Sequence, residues 1–219
     1  MKSADEFLSD IEGFRTPEEM EVYFEEKKRE IHLDDDYYQL SLLKKGLFKE
    51  LLEEFYPMYC FSRSRFFENN SKVKIVIGNQ GYDGLILKQD GTQQKFELTT
   101  YVNGKWEFED AKRLIKNGLG DTRFGDGKSL KYRSKEYLKQ VTESFKKKSL
   151  KNYSGVNLLF IVNTFWYFEV YDNSSKSFID ELINEIKLLT FKAEGIYLMV
   201  LNNQDVSQID NNIYDLSNV

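Results

Sequence analysis

Apolar side chains recur at helical spacing in the N-terminal part of the chain. Thr16 is a suitable N-cap residue, Pro17 suits the first helical position, and Glu19 completes a capping box. Apolar residues then share one face, and the pattern predicts a helix ending near His32. A second helix is predicted to begin at 34–36, where three aspartates offer caps, to carry leucines at helical spacing, and to end near Pro57.

Alternating and continuous apolar runs then predict strands at 72–77, 82–88, 95–101, 156–163 and 195–201, with a further strand-like stretch at 166–170. Helical patterns separate them at 106–116, from Ser134 to 151, and at 175–189. The run 118–127 is rich in glycine and reads as a loop, without the glycine and lysine spacing of a phosphate-binding loop.

This order predicts an α/β fold with a mixed central β-sheet flanked by helices on both faces. The meander 72–101 indicates antiparallel strands, whereas strands linked by helices are expected to be parallel. We predict an acidic helical N-terminal extension over 1–39, an α/β domain over 40–203 and a loosely held polar tail over 204–219.

Charge is distributed unevenly along the 219 residues, although the net charge is only −5. Residues 1–60 contain 8 Lys or Arg and 16 Asp or Glu, whereas residues 105–151 contain 14 and 7. A basic middle segment is typical of a surface that binds a polyanion, and it is equally typical of a solvated helix rich in lysine.

Composition excludes several kinds of chemistry within one chain. Cys60 is the only cysteine and His32 the only histidine, so internal disulfides, cysteine-based zinc clusters and multi-histidine metal sites are not available within one chain. We expect Cys60 to be a buried thiol and the protein to be cytoplasmic. The longest apolar runs are too short to span a bilayer, so no membrane association is expected.

Two acidic residues mark the strands of the meander. Asp83 opens the strand 82–88, and Glu97 lies at the centre of the strand 95–101. Alternation places Lys95, Glu97 and Thr99 on one face of that strand. Two converging carboxylates can hold Mg²⁺ or Mn²⁺, and such a site suits phosphodiester hydrolysis. A turn residue at Asp83 and a solvent-facing Glu97 are the simpler structural alternatives.

The order of elements and the spacing of Asp83 and Glu97 resemble the PD-(D/E)XK, or restriction-endonuclease-like, nuclease superfamily over roughly residues 40–203. The resemblance implies that Asp83 and Glu97 are metal ligands, together with an acid from the first helix of the fold. That acid is Glu50, Glu53 or Glu54, and we take Glu53 as the candidate ligand.

Thr99 departs from the motif, because the superfamily has a lysine at this position. In the superfamily that lysine activates the attacking water and stabilises negative charge, and a threonine carries no charge. Lys95 lies on the same strand face and is our candidate replacement. We count Asp83, Glu97, Lys95 and Thr99 as the candidate catalytic set.

The resemblance predicts a Mg²⁺-dependent endonuclease acting on DNA, in restriction, phage defence or a mobile element. The alternative is a nuclease-like fold that has lost catalysis and binds nucleic acid or protein. A homodimer or protein partner is a further expectation for the acidic N-terminal region. The basic segment supplies the candidate nucleic-acid-binding residues, which are Arg123, Lys128, Lys131, Arg133, Lys135 and Lys139.

Overall fold

The computed structural model describes residues 4–101, 104–120, 130–164, 174–202 and 206–217. The chain forms two compact units. Unit 1 comprises residues 1–96 and 102–121, and unit 2 comprises residues 97–101 and 122–219. The division falls inside one strand and does not follow the bounds at 39/40 and 203/204 that the sequence suggests.

Unit 1 begins with helices. Their bounds are α1, Ala4–Phe7; α2, Pro17–Leu33; α3, Asp35–Leu42; α4, Phe48–Glu50; a π-helical turn, Leu51–Phe55; α5, Tyr56–Ser62; and, later in the chain, α6, Gly104–Asn117. The predicted capping box is confirmed, because Thr16 Oγ1 accepts the Glu19 N–H and the Glu19 carboxylate accepts the Thr16 N–H.

The prediction of one continuous second helix ending near Pro57 is wrong in two respects. Lys44 and Gly46 adopt positive φ angles of 48° and 54°, which an α-helix cannot accommodate, so α3 ends before them. The helical path then continues through Pro57 to Ser62. The wider π-helical turn ends at Phe55, two residues before this proline, where a regular α-helix would bring the proline ring against the carbonyl of Glu53.

Three antiparallel strands follow the helices of unit 1. They are β1, Lys72–Ile75; β2, Gly84–Leu87; and β3, Gln93–Thr100, of which unit 1 contains the part up to Phe96. Phe61 of α5 packs against Phe96 of β3, with ring centroids 4.9 Å apart, and both rings are fully buried. This contact fixes α5 on the strands that carry the acidic motif.

Unit 2 alternates helices and strands. The elements are α7, Leu130–Ser149; β4, Asn152–Tyr153; β5, Val156–Val162; α8, Ser174–Lys187; β6, Lys192–Ala193; β7, Ile196–Val200; a 3₁₀ helix, Val206–Asn211; and β8, Ile213–Asp215. Its core is continuous: Val141 and Phe145 of α7, Leu182 of α8 and Leu158 of β5 are almost completely inaccessible to solvent. A buried run such as β5 is typical of a central strand.

Six strands of the described chain form one mixed sheet in the order β1-β2-β3-β5-β7-β8, and β4 and β6 form a separate parallel pair. The helix-linked strands β5 and β7 are parallel, as expected, and the meander strands are antiparallel. The predicted mixed α/β architecture is therefore confirmed. No helix among the described residues combines the length and apolarity needed to cross a bilayer.

Two predictions in unit 2 are wrong. The helix predicted to begin at Ser134 begins four residues earlier, because α7 starts at Leu130. The tail is not loosely held, because β8 pairs with β7 and the side chains of Ile209, Ile213 and Leu216 are buried. The last strand, β8, is too short, and its surroundings too polar, for its sequence to show an alternating apolar pattern. The predicted strand 166–170 and most of the loop 118–127 lie outside the described residues.

Candidate functional site

Asp83 lies immediately before β2 and is held by its backbone. Its N–H donates to the carbonyl of Phe96 at 2.8 Å, and its carbonyl accepts the N–H of Val76 at 2.9 Å. The following residue, Gly84, packs so closely on Met58 that an added Cβ would lie 3.0 Å from the sulfur atom. Main-chain contacts from both sides thus fix where the half-buried Asp83 begins its strand.

A group of carboxylates surrounds Glu54 in unit 1. Burial, followed by the negative charges of Asp83 and Glu50, raises the pKa of Glu54 from 4.5 to about 8. Oε2 of Glu50 is buried and has no hydrogen-bond partner among the described residues. Burial and the neighbouring carboxylates thus both favour the protonated form of Glu54.

Glu53 has a different environment from Glu54. Its carboxylate accepts the Lys44 ammonium at 2.8 Å, and the same ammonium contacts Glu107 of α6 at 2.8 Å. Burial lowers the pKa of Lys44, but the hydrogen bonds and charges of the two glutamates outweigh burial, and the net direction is upward. Glu54 is a helical acid that is electrostatically coupled to Asp83.

Glu97 forms an ion pair with Lys148 in unit 2. Nζ of Lys148, near the end of α7, lies 2.6 Å from Oε1 of Glu97, and the side chains are only 20% and 16% exposed. Burial lowers the pKa of Lys148, but the hydrogen bond and charge of Glu97 outweigh it and raise the pKa overall. The same ammonium lies 5.6 Å from the ring centroid of Tyr153.

The other two candidate catalytic residues are also ordered. Thr99 is 8% exposed, and its Oγ1 has no hydrogen-bond partner among the described residues. Nζ of Lys95 lies 5.1 Å from the ring centroid of Tyr82 in unit 1. The structure pairs Glu97 with Lys148, a residue that the sequence argument did not single out.

A signal for Lys148 is present in the sequence. The apolar stripe of α7 runs through Tyr137, Val141 and Phe145, and Lys148 continues it one turn later. Lys146 and Lys147, its neighbours in the basic run, are exposed. A lysine on a buried stripe requires a carboxylate partner, so the stripe indicates which of these three lysines is paired.

The candidate nucleic-acid-binding residues are only partly covered. Lys135 and Lys139 are exposed on α7, and Arg133 is partly buried on the same helix. Arg123 and Lys128 lie outside the described residues, as does the side chain of Lys131. Two of the six candidate residues, Lys135 and Lys139, are thus accessible lysines one helical turn apart.

The carboxylate groups near Asp83 in unit 1 are of the chemical type that a hard divalent cation prefers. Their donor atoms are carboxylate oxygens, and one buried oxygen, Oε2 of Glu50, has no hydrogen-bond partner among the described residues. No group of three or more Asp, Glu, His or Cys in the described residues has a metal-holding arrangement. Mg²⁺ requires fewer protein ligands than that, since it commonly retains water and uses one or two carboxylates.

Comparison with known proteins found no matching family model, no matching curated protein and no matching solved structure.

Proposed function

We propose that this chain is a metal-dependent nuclease that hydrolyses phosphodiester bonds of DNA. Asp83 and Glu97 would supply carboxylate ligands to Mg²⁺ or Mn²⁺, and Glu54 would be the helical acid, in a restriction-endonuclease-like fold. The observation that carries the proposal is the environment of Glu54, where burial and then the charges of Asp83 and Glu50 raise the pKa of its carboxyl to about 8.

A divalent cation would relieve this charge repulsion. Like charges crowded in a partly buried position oppose one another's ionisation, and an oxygen-binding cation neutralises them. When bound, Mg²⁺ or Mn²⁺ provides a Lewis acid and a source of activated water for phosphodiester hydrolysis. The contribution of Asp83 is geometric, because hydrogen bonds at both its N–H and its carbonyl fix its backbone.

The exposed lysines of α7 support a polyanionic substrate. Lys135 and Lys139 are accessible on one helix within a segment of residues 105–151 that contains 14 basic and 7 acidic residues. Such a surface attracts phosphate groups without regard to base sequence. We therefore propose DNA as the substrate and phosphate contacts as the basis of binding.

A second candidate function is a binding module without catalysis. The observation that favours it is the presence of Thr99 at the position where the superfamily that this chain resembles has a lysine. Thr99 offers a hydroxyl and no positive charge. Such a protein would bind DNA through the same lysines but would not cleave it.

Cleavage of supercoiled plasmid DNA with Mg²⁺ or Mn²⁺ tests the proposal. We expect nicking or linearisation by the wild type and loss of cleavage in Asp83→Asn and Glu97→Gln, with Asp90→Asn active. Asp90 is a suitable control because its carboxylate binds Thr92 within an exposed hairpin turn. Cleavage that persists in both variants would contradict the proposal that Asp83 and Glu97 are the metal ligands. DNA binding without cleavage by the wild type supports the binding module instead.

A further inference from the structure

We propose that this chain binds a second copy of itself, with a face of α2 in one copy contacting one end of unit 2 in the other copy. The first surface, the acidic stripe, comprises Val22, Glu26, Glu30, Leu33, Asp35 and Asp36. The second surface, the basic end, comprises Lys147, Leu150, Lys151, Lys187, Leu188 and Lys192. The contact between copies requires no nuclease activity.

The acidic stripe combines exposed apolar side chains with exposed carboxylates. Val22 and Leu33 are 56% and 81% exposed, and they share one face of α2 because they are about three helical turns apart. Glu26 and Glu30 are exposed between them and form no ion pair with a described residue. The two aspartates that begin α3 add exposed carboxylates beside Leu33. Arg29 is an exposed cation on this face, so the stripe keeps a net negative charge.

The basic end forms where α7 and α8 finish side by side. Tyr137 of α7 stacks on Phe178 of α8, with ring centroids 5.5 Å apart, and the two helices lead into the parallel strands β5 and β7. Between each helix and its strand, β4 and β6 pair in parallel, with Asn152 opposite Lys192. The two helices therefore run in the same direction, and their C-terminal ends adjoin.

The side chains of the basic end are unusually exposed. Leu150 and Leu188 directly follow the two helices and are 87% and 80% exposed, whereas an apolar residue just after a helix commonly packs back on its last turn. The four lysines are exposed and form no ion pair with a described residue. Lysines near a helix C-terminus complement its dipole, but Lys151 and Lys192 lie beyond the helices. Glu194 is the exposed acid beside Lys192, and the end remains positive.

A second copy matches both the charge and the apolar character of the basic end. Protein interfaces place apolar side chains at the centre and charges at the rim, and each surface has two exposed apolar side chains among charges of mainly one sign. Opposite charges align the two surfaces during encounter, and salt screens that attraction. Phosphates of a nucleic acid would contact the lysines but gain nothing from Leu150 and Leu188.

The experiment reverses the charge on each surface separately and then mixes the two variants. The stripe variant is Glu26→Lys/Glu30→Lys, and the end variant is Lys147→Glu/Lys151→Glu. Sedimentation equilibrium of the full chain without DNA measures the weight-average mass against protein concentration, at low and at high salt. Circular dichroism checks that every variant is folded.

We expect the wild type to exceed the mass of one chain as its concentration rises, and to dissociate at high salt. Each variant alone should associate at least about tenfold more weakly, because like charges then face each other. An equimolar mixture of the two variants should regain association. In that mixture the new lysines face the new glutamates, and the unaltered surfaces of the two variants also remain complementary.

Two further variants separate this contact from general effects of charge. Lys135→Glu/Lys139→Glu reverses two exposed lysines on α7 away from the basic end, and it should associate like the wild type. Leu150→Ser/Leu188→Ser keeps every charge and should weaken association, because the apolar part of the contact is lost.

A wild type that keeps the mass of one chain at every concentration overturns the inference. A mixture of variants that does not associate, although the wild type does, also overturns it, because the contact then lies elsewhere. Loss of binding to duplex DNA or to anionic lipid vesicles by the end variant of a monomeric protein assigns the basic end to that polyanion instead. Plasmid cleavage tests the nuclease proposal separately, so the two can fail independently.

Discussion

Lys148 and Glu97 form a short ion pair, with 2.6 Å between Nζ and Oε1, in a position where water has little access to either side chain. Such a pair has a large energetic effect when only one partner is removed, because the remaining charge is left desolvated. It follows that the contributions of Lys148 and Glu97 to the stability of unit 2 are coupled.

A double-mutant cycle measures this coupling. We predict that Lys148→Met lowers the free energy of unfolding by about 2 kcal/mol, because Glu97 loses its counter-charge. The double variant Glu97→Gln/Lys148→Met should lose less than the sum of the single variants, with a coupling of about 1–3 kcal/mol in urea denaturation. Additivity of the two changes would show that the pair contributes nothing beyond its separate parts.

Glu54 should give the protein an unusual pH dependence. Its pKa in the folded protein is about 8, against an ordinary value of 4.5. Between these pH values the unfolded chain releases the proton and the folded protein retains it, so this residue lowers stability as pH rises. We predict that Glu54→Gln matches the wild type at pH 4 and exceeds it at pH 8.5 by about 1–3 kcal/mol, a value reduced for solvent screening.

The control for this measurement is Glu26→Gln on α2. Glu26 is exposed, so its substitution removes a carboxylate without the burial that surrounds Glu54. Urea denaturation at several pH values provides the comparison. A Glu54→Gln variant whose advantage does not grow between pH 4.5 and pH 8 contradicts the raised pKa.

Local pattern was a good guide to the fold where one physical rule dominated. The capping box at Thr16 and the apolar run of β5 determine their elements directly, and both were predictable. The break at Lys44 was not, since a positive φ at a lysine is a property of the tertiary structure. The strand at Ile213 was also missed, because three residues are too few to show a period.

Predicting the candidate site had a different limit. Strand alternation places Glu97 and Thr99 on one face, but it says nothing about which distant residue approaches them. Lys148 is 51 positions away in the chain, and only the packing of α7 brings it to Glu97. Likewise, three glutamates at 50–54 could not be ranked from sequence, whereas Glu53 binds Lys44 and Glu54 is coupled to Asp83.

Binding of DNA by α7 should depend steeply on salt. We predict that the double variant Lys135→Gln/Lys139→Gln lowers the magnitude of the slope of log K against log salt concentration by about 2, because two phosphate contacts are lost. Fluorescence anisotropy with labelled duplex DNA measures it. The matched control is Lys176→Gln/Lys187→Gln on α8, where both lysines are also exposed. An equal slope in all three proteins would assign the lysines of α7 to a solvated face.

The junction of β5 and β7 depends on the absence of a side chain at Gly195. A Cβ there would lie 2.5 Å from Oδ1 of Asn157, which is buried in β5, and 3.2 Å from the ring of Tyr197. The carbonyl of Gly195 also accepts the N–H of Leu158 at 2.8 Å, so its backbone has little freedom to retreat. The close approach therefore sets the spacing of this strand pair.

We predict that Gly195→Ala lowers the free energy of unfolding by about 2 kcal/mol, because the methyl group forces Asn157 or the strand to move. Gly104→Ala is the control, since no atom of the described residues outside its chain neighbours lies within 4 Å of its added Cβ and the helix N-terminus tolerates alanine. Combining Gly195→Ala with Asn157→Ala should cost less than the two changes separately, because the clash is removed with the carboxamide. Urea denaturation of the four variants tests this prediction. An unchanged free energy of unfolding in Gly195→Ala would mean that β7 can shift without loss of packing.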